Sequence, residues 1–546
     1  MVRDMANDSK KELLLQGSIL AVAGIIVKLI GFLYRIPMAN MLGEVGNGLY
    51  GVAFGIYNIV LTLSCSSLPL GLSKLISQYE IKKEYRSAYR LFRNSLILAV
   101  IVGGIFWVLI YFGADFLEMC YAKPGLAKPL RIVAPTTFVM AILGVMRGFF
   151  QGKNTMIPSA VSQIIEQIIN AIISIVAVMQ FMRVYQSSAD VFAYGAAGGI
   201  MGTLCGALSA FAFLLVLYLL YRPGYLRRVR RCKNRHVASD GRLNKLLLMT
   251  LIPISLSQAA YQLSGTLDDL IFGNILNFKG LAVDFVTAIQ GVYSTQYNLL
   301  INIPIAFASS LAVSIVPSIV ASKERHDRRG IFEKVNFINK FVMVLTIPSV
   351  IGFMVLARPI ISLIFAALTE HRDLSVHMLQ IGAVSIVFYS LASISTAILQ
   401  SLNKMREPIV NAFIGLVVHL VFICPLLIFT GLNAYILVVG NIIFPLVICV
   451  LNERSLNNEL HIHKDVKRTY LIPIIASLIM GIIVFFVYWI VDKFIGNTVV
   501  SVVVPLAVGV CSYFFFIFAF HCFSLEELYD LPMGRTIARF TGRFYR

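Results

Sequence analysis

Long apolar runs alternate with short polar segments along almost the whole 546-residue chain. Most runs hold about 20 residues, the length a helix needs to cross ~30 Å of hydrocarbon at 1.5 Å per residue. Their positions predict fourteen helices, over 14–38, 47–68, 94–114, 130–150, 157–181, 193–220, 246–276, 288–320, 341–357, 377–400, 408–430, 433–451, 470–491 and 498–522. None shows the ~10-residue polar alternation of a membrane β-barrel strand. The pattern therefore predicts an all-α polytopic membrane protein. Helices 7 and 8 are long and contain Pro253 and Pro304, which are expected to bend them, since neighbouring helices can satisfy the freed carbonyls. The first run extends to Met38, too long for the core of a cleaved signal peptide, and is read as a transmembrane helix.

Composition agrees: 58% of residues are hydrophobic and 13% charged, where a soluble domain carries ~25% charged. This excludes a disordered chain, a collagen-like fibre, a disulfide scaffold and a string of soluble enzyme domains. The eight cysteines form no CxxC pair and mostly lie inside apolar runs, so they read as small apolar residues. A net charge of +19 would suggest nucleic acid in a soluble protein. Here its distribution says otherwise. With the amino terminus cytoplasmic, the inner segments hold 36 of the 46 basic residues and the outer loops eight, leaving Lys28 and Arg35 inside helix 1. That asymmetry predicts an even number of spans, both termini cytoplasmic, and anionic lipid rather than nucleic acid at the basic loops.

The segments also repeat. Phe150-Gln151-Gly152-Lys153-Asn154 with Pro158 follows helix 4, and Leu399-Gln400-Ser401-Leu402-Asn403-Lys404 with Pro408 follows helix 10. Gly48-Leu49-Tyr50 has a counterpart in Gly291-Val292-Tyr293. Nearly constant offsets predict two parallel six-helix halves, 1–221 and 246–451, joined by a basic cytoplasmic linker over 222–245, where Arg227, Arg228, Arg230, Arg231, Lys233 and Arg235 cluster. Helices 13–14 (452–522) and a cytoplasmic tail (523–546) complete the chain. Parallel repeats place a substrate path between the halves.

A charge in hydrocarbon costs at least ~2.5–3.5 kcal/mol, so each one needs a reason. The intramembrane set is Lys28 and Arg35 in helix 1, Glu166 in helix 5, Asp268 and Asp269 in helix 7, and His419 in helix 11. Lys28 and Arg35 lie seven residues apart, on one helix face ~10.5 Å apart. That suits two points on a diphosphate and its sugar; the alternative is that Arg35 snorkels to the outer boundary. Polar stripes accompany them: Ser159, Ser162, Gln163, Glu166, Asn170 and Ser174 in helix 5; Ser255, Gln258, Gln262 and Asp269 in helix 7; Gln290, Ser294, Asn298 and Asn302 in helix 8; Tyr389, Ser393, Thr396 and Gln400 in helix 10. Such stripes either line a water-filled cavity or serve as interhelical hydrogen bonds. The small-residue run Gly195–Gly199 reads as close packing. HExxH, GxSxG and GxxxxGK[ST] are absent from the sequence, and His461 and His463 read as solvated loop residues. No enzyme, metal or cofactor is expected; H+, Na+, the membrane potential and the substrate gradient all remain open as drivers.

Lys28-Leu29-Ile30-Gly31-Phe32-Leu33-Tyr34-Arg35-Ile36-Pro37 with Leu42-Gly43, Ile157-Pro158-Ser159-Ala160-Val161-Ser162-Gln163 with Glu166-Gln167, and Leu531-Pro532-Met533-Gly534 together resemble one family. It is the stage V sporulation protein B and polysaccharide-biosynthesis branch of the multidrug/oligosaccharidyl-lipid/polysaccharide exporters. The resemblance implies a flippase of the bacterial plasma membrane that moves an undecaprenyl-diphosphate-linked sugar, lipid II foremost, by alternating access. It also implies that Lys28 and Arg35 contact the diphosphate. With that cargo the polar stripes read as a cavity lined by Asn58, Gln163, Glu166, Asn170, Gln262, Asn298 and Asn302, and Glu166, Asp268 and Asp269 either hold the basic residues or gate or couple. Two features depart from relatives. Asn58, Asn298 and Asn302 stand in the helices where Gram-negative lipid II flippases carry arginines, and Gly415 follows Asn411 where sodium-binding members have an aspartate. Two alternatives stay open: a cation-coupled drug or metabolite exporter of the same superfamily, and a scaffold recruiting cell-wall synthesis enzymes through the basic loop and tail.

Overall fold

The computed structural model describes residues 2–232, 238–460, 465–524 and 527, and within them every regular element is helical. Residues 233–237, the His461–His463 pair and nearly all of the tail after Ser524 lie outside the described residues. Among the described residues ten helices are long and apolar enough to cross a membrane, and up to twelve if each of two bent pairs is one span. The protein is a multi-pass membrane protein. Along α3 (Tyr85–Phe112), Ile97, Ile101, Ile105, Val108 and Phe112 are all exposed, an apolar face that lipid would cover and water would not tolerate.

Two compact units emerge, one up to Ser294 and one from Thr295. The first holds α1 (Val2–Leu61), α2 (Leu68–Ile81), α3, α4 (Ala114–Cys120), α5 (Ala127–Gly152), α6 (Ile157–Val184), α7 (Val191–Arg231), α8 (Asp240–Phe278) and α9 (Val283–Gly291). At 1.5 Å per residue α1 is ~90 Å long, too long for one crossing. It is kinked at Gly43, where φ of 68° with ψ of 177° demands a residue without a Cβ. The side chain of Asn47 covers the break, donating to the Ala39 and Gly43 carbonyls at 2.8 and 2.7 Å. Expected helices 1 and 2 are thus the arms of one bent element.

α7 runs ten residues past Tyr221, so the first part of the basic linker is helix rather than loop. Pro223-Gly224 reads as a stop signal, but continuing the helix buries Tyr225 against Phe149 of α5 at 5.5 Å between ring centroids. The glycine run behaves as expected: a Cβ on Gly198 would lie 2.8 Å from the Ala177 carbonyl oxygen, so α6 and α7 touch backbone to backbone.

The second unit holds α10 (Asn298–Glu324), α11 (Arg328–Ile364), α12 (Arg372–Gly382), α13 (Ser385–Ser401), α14 (Arg406–Phe429), α15 (Ala434–Leu460), α16 (Ile472–Ile495) and α17 (Thr498–Ala519). Expected helix 8 is not a uniform α-helix. Its hydrogen bonding switches to a π-helical stretch over Val292–Tyr297, ahead of Pro304. α8 bends by 41° just after Pro253, and α12 and α13 meet at 46°. α16 and α17 pack on α11, with Tyr513 donating to the Val344 carbonyl at 2.8 Å and buried Lys340 held by Glu527 at 2.7 Å.

The repeat is visible in backbone turns. Asn154 and Asn403 both take left-handed φ (57° and 58°), and each turn closes the same way. Asn154 and Thr155 donate to the Gln151 and Phe150 carbonyls, while Asn403 and Lys404 donate to Gln400 and Leu399. Lys83 and His326, also left-handed, close equivalent turns after α2 and α10.

Candidate functional site

Arg35 sits on the first arm of α1 with its guanidinium over the Phe54 ring, 4.7 Å from the centroid, on the returning arm. Tyr34 and Tyr50 flank it, and Tyr50 stacks on Phe54 at 5.6 Å. Tyr34 accepts a 3.4 Å bond from Asn170 of α6. Arg35 is half-buried and has no ion-pair partner among the described residues. A guanidinium on aromatic faces is stabilised by their quadrupoles, yet it keeps its full charge for an anion. Lys28 is exposed on the same helix, two turns earlier.

The α6 stripe divides. Ser159, Ser162, Asn170 and Ser174 are buried and spent between helices, as in the 2.7 Å bond from Ser174 to the Gly199 carbonyl. Gln163 and Glu166 stay partly exposed. Glu166 pairs with Arg147 of α5 at 2.7 Å, and the Arg147 Nε donates to Ser162 at 3.0 Å. Arg147 falls within predicted helix 4 (130–150), near its end, and is missing from the expected set of intramembrane charges. The structure corrects this, placing it inside α5 as a buried cation. A carboxylate in the neighbouring stripe was the signal that a cation had to face it.

Near the far end of α8, Asp269 accepts 3.3 Å from Gln290 of α9, whose amide also reaches the Asp269 carbonyl at 2.8 Å. Asp269 faces Gly55 of α1, since a Cβ there would lie 3.7 Å from its Oδ2. Asp268 is buried beside it. Lys123, in the loop before α5, is almost fully buried and donates to Thr287 at 3.0 Å. Burial pushes its ammonium down to about 8, against the attraction of Asp269. Sequence reading passed over Lys123 as an ordinary loop lysine.

These groups surround the tightest helix crossing in the first unit. A Cβ on Gly48 would fall 2.1 Å from the Thr287 carbonyl oxygen, and one on Gly291 only 1.9 Å from that of Glu44. The two repeat-related glycines thus bring α1 and α9 into backbone contact.

Elsewhere the predicted polar residues diverge. Gln262 is exposed and Asn58 half-buried. In the second unit, Asn302 is exposed and donates to the Asn298 carbonyl at 2.7 Å. The helix-10 stripe, now α13, is taken up by neighbours: Tyr389 donates to Asn441 at 2.8 Å, and Thr396 accepts from Asn452 at 3.0 Å. Asn411 joins that network through Asn452 at 2.9 Å, and buried His419 contacts the Gly440 carbonyl at 3.1 Å. These are packing bonds of the kind worth ~0.6 kcal/mol each in a membrane.

Comparison with known proteins places this arrangement. The chain is 26% identical over 526 residues to the lipid II flippase MurJ of Bacillus subtilis (strain 168), covering 92% of this chain and 94% of the relative. It is 24% identical over 536 residues to stage V sporulation protein B of the same organism, covering 97% and 100%. Its fold matches a solved structure of the lipid II flippase MurJ in an inward closed conformation, with a TM-score of 0.63 at 17% identity over 92% of this chain and 98% of that one. The polysaccharide biosynthesis protein family matches residues 13–323, more than half of the chain, and the protein belongs to that family.

Proposed function

We propose that the protein is a flippase for an undecaprenyl-diphosphate-linked saccharide, with lipid II as its cargo, working by alternating access in a bacterial plasma membrane. The observation that carries this reading is Arg35: an intramembrane guanidinium seated on Phe54, with no carboxylate partner among the described residues. Such a charge in a low-dielectric setting calls for an anion, and a diphosphate supplies one. Similarity to the Bacillus subtilis lipid II flippase over 92% of the chain supports the same class of cargo.

In this reading Lys28 and Arg35 hold the diphosphate while the prenyl chain stays in lipid. Asn58, Gln163, Gln262, Asn298 and Asn302 offer hydrogen bonds to the sugar, and Asn170 orients Tyr34 beside Arg35. Glu166 is held by Arg147. Asp269, with Asp268, Gln290 and Lys123, forms the gate at the Gly48–Gly291 crossing. Fourteen spans, both termini cytoplasmic, six-helix halves at 1–221 and 246–451, and drive by H+, Na+ or the membrane potential belong to the same proposal.

The test is complementation of a bacterium depleted of its own lipid II flippase. The wild-type chain is expected to restore growth, and Lys28→Ala and Arg35→Ala to fail at normal membrane abundance. Growth restored by both variants removes the diphosphate role of these residues. No rescue by wild-type protein present in the membrane reassigns the cargo to another lipid-linked polysaccharide. Labelling of a cysteine introduced at Lys279 from outside intact cells checks the orientation.

A further inference from the structure

Several surface cations of the first unit are neutralised. Lys128 bonds Asp190, Arg131 meets Asp115 at 2.6 Å, and Lys153 lies 3.5 Å from Glu80. Lys82, Arg242 and Lys245 differ. They converge with Gln78 and Tyr79 on a cavity of about 300 Å³ between the end of α2 and the start of α8. Among the described residues none of the three has an ion-pair or hydrogen-bond partner. The carboxylates nearest in sequence are engaged elsewhere: Asp240 accepts from Asn94 of α3 at 3.0 Å and lies 3.5 Å from Arg93, Glu80 accepts from Tyr225 at 3.1 Å and lies 3.5 Å from Lys153, and Glu84 accepts from Ser87 at 3.4 Å. Three uncompensated positive charges therefore face one pocket.

The remaining wall is apolar. Leu246 and Met249 line the cavity and are exposed, and Ile252 continues the same face of α8, also exposed. Spacings of three and four residues put Arg242, Lys245, Leu246, Met249 and Ile252 on one side of the helix. That face changes from cationic to apolar within about two turns. A free phosphate would use only the first half of it. An amphiphile with a phosphate at one end and acyl chain at the other uses both, and basic pockets between helices at the cytoplasmic boundary are suited to such head groups.

We propose that this pocket binds the phosphate head group of an anionic membrane phospholipid, with Lys82, Arg242 and Lys245 on the phosphate and an acyl chain along Met249 and Ile252. The cytoplasmic placement rests on the orientation given under the proposed function. The site lies apart from Lys28 and Arg35 in sequence and element, so the lipid is a resident partner and not the cargo.

The test uses the full-length protein purified in mild detergent and exchanged into nanodiscs of phosphatidylcholine with or without phosphatidylglycerol. Native mass spectrometry counts retained phosphatidylglycerol for the wild type, the triple variant Lys82→Ala/Arg242→Ala/Lys245→Ala, and a triple arginine-and-lysine exchange that keeps all charges. The wild type and the charge-keeping variant are expected to retain one more phosphatidylglycerol than the alanine variant. Millimolar inorganic phosphate is expected not to displace it. Equal retention by all three proteins overturns the site. Displacement by inorganic phosphate alone overturns the lipid assignment. All three side chains are exposed, so the alanine variant is expected to fold, and an unchanged size-exclusion profile verifies that. Complementation and the Lys279 labelling are scored separately: failed rescue reassigns the cargo, reversed labelling overturns the cytoplasmic placement, and either leaves the retention count intact.

Discussion

Replacing Glu166 by alanine removes the carboxylate that lies 2.7 Å from the Arg147 guanidinium. The Arg147 side chain is 9% exposed and Glu166 is 22% exposed. After the change the guanidinium keeps a bond to the Ser162 hydroxyl at 3.0 Å and no counter-charge. Breaking one side of a buried pair costs about 3–5 kcal/mol, because the surviving charge stays desolvated. Arg147→Ala is expected to cost less, about 2–3 kcal/mol, since water reaches the Glu166 carboxylate that remains. Replacing both by methionine removes both charges at similar volume and is expected to lie within about 1 kcal/mol of the wild type. At roughly 2–4 °C per kcal/mol, Glu166→Ala should lower the apparent melting temperature in detergent by about 6–20 °C, while the double methionine variant nearly recovers it. Fluorescence-detected size-exclusion chromatography after a heating series reads these shifts. A double variant whose loss equals the sum of two large single losses would refute the pairing argument.

Gly291→Ala should destabilise the α1–α9 crossing, although alanine ordinarily favours a helix over glycine by about 1 kcal/mol. Its Cβ would meet the Glu44 carbonyl oxygen at 1.9 Å. Cross-linking of cysteines placed across that crossing in a cysteine-free background should fall, and unchanged yield would contradict the contact. Lys153, in the loop after α5, lies 3.1 Å over the Tyr225 ring, and burial pushes its ammonium down to about 8. Between about 8 and the ordinary value of 10.5 the unfolded chain holds the extra proton, so this group makes stability rise with pH across that window. Lys153→Met should remove one proton's share of that rise in melting curves taken from pH 7.5 to 10, and an unaltered slope would count against the buried ammonium.

Much of the fold was legible because a membrane imposes simple rules on the chain. Twenty-residue apolar runs carried the all-helical, multi-pass architecture, and the paired segments ending in Asn154 and Asn403 marked turns that close alike. Misreadings occurred where tertiary contact overrides local signals. Pro223-Gly224 looks like a stop, yet Tyr225 gains more by docking on Phe149 than the helix loses at the proline. Gly43 breaks a helix that hydropathy can only split by length. Arg147 and Lys123 were passed over because position along an apolar run says nothing about which way a side chain turns. The polar stripes are written in the sequence, but periodicity does not separate Gln163, which keeps some exposure, from Ser174, which is consumed by the Gly199 carbonyl.

Translocation with purified components tests lipid II flipping and the role of Arg35 together. Proteoliposomes holding the protein and fluorescent lipid II would be treated with a membrane-impermeant reagent that reports only the outer-leaflet head group. The account predicts that the wild type exposes the protected inner pool with time, while Arg35→Ala, equally incorporated, leaves it protected. Equal exposure by wild type and Arg35→Ala, or by protein-free vesicles, would contradict it.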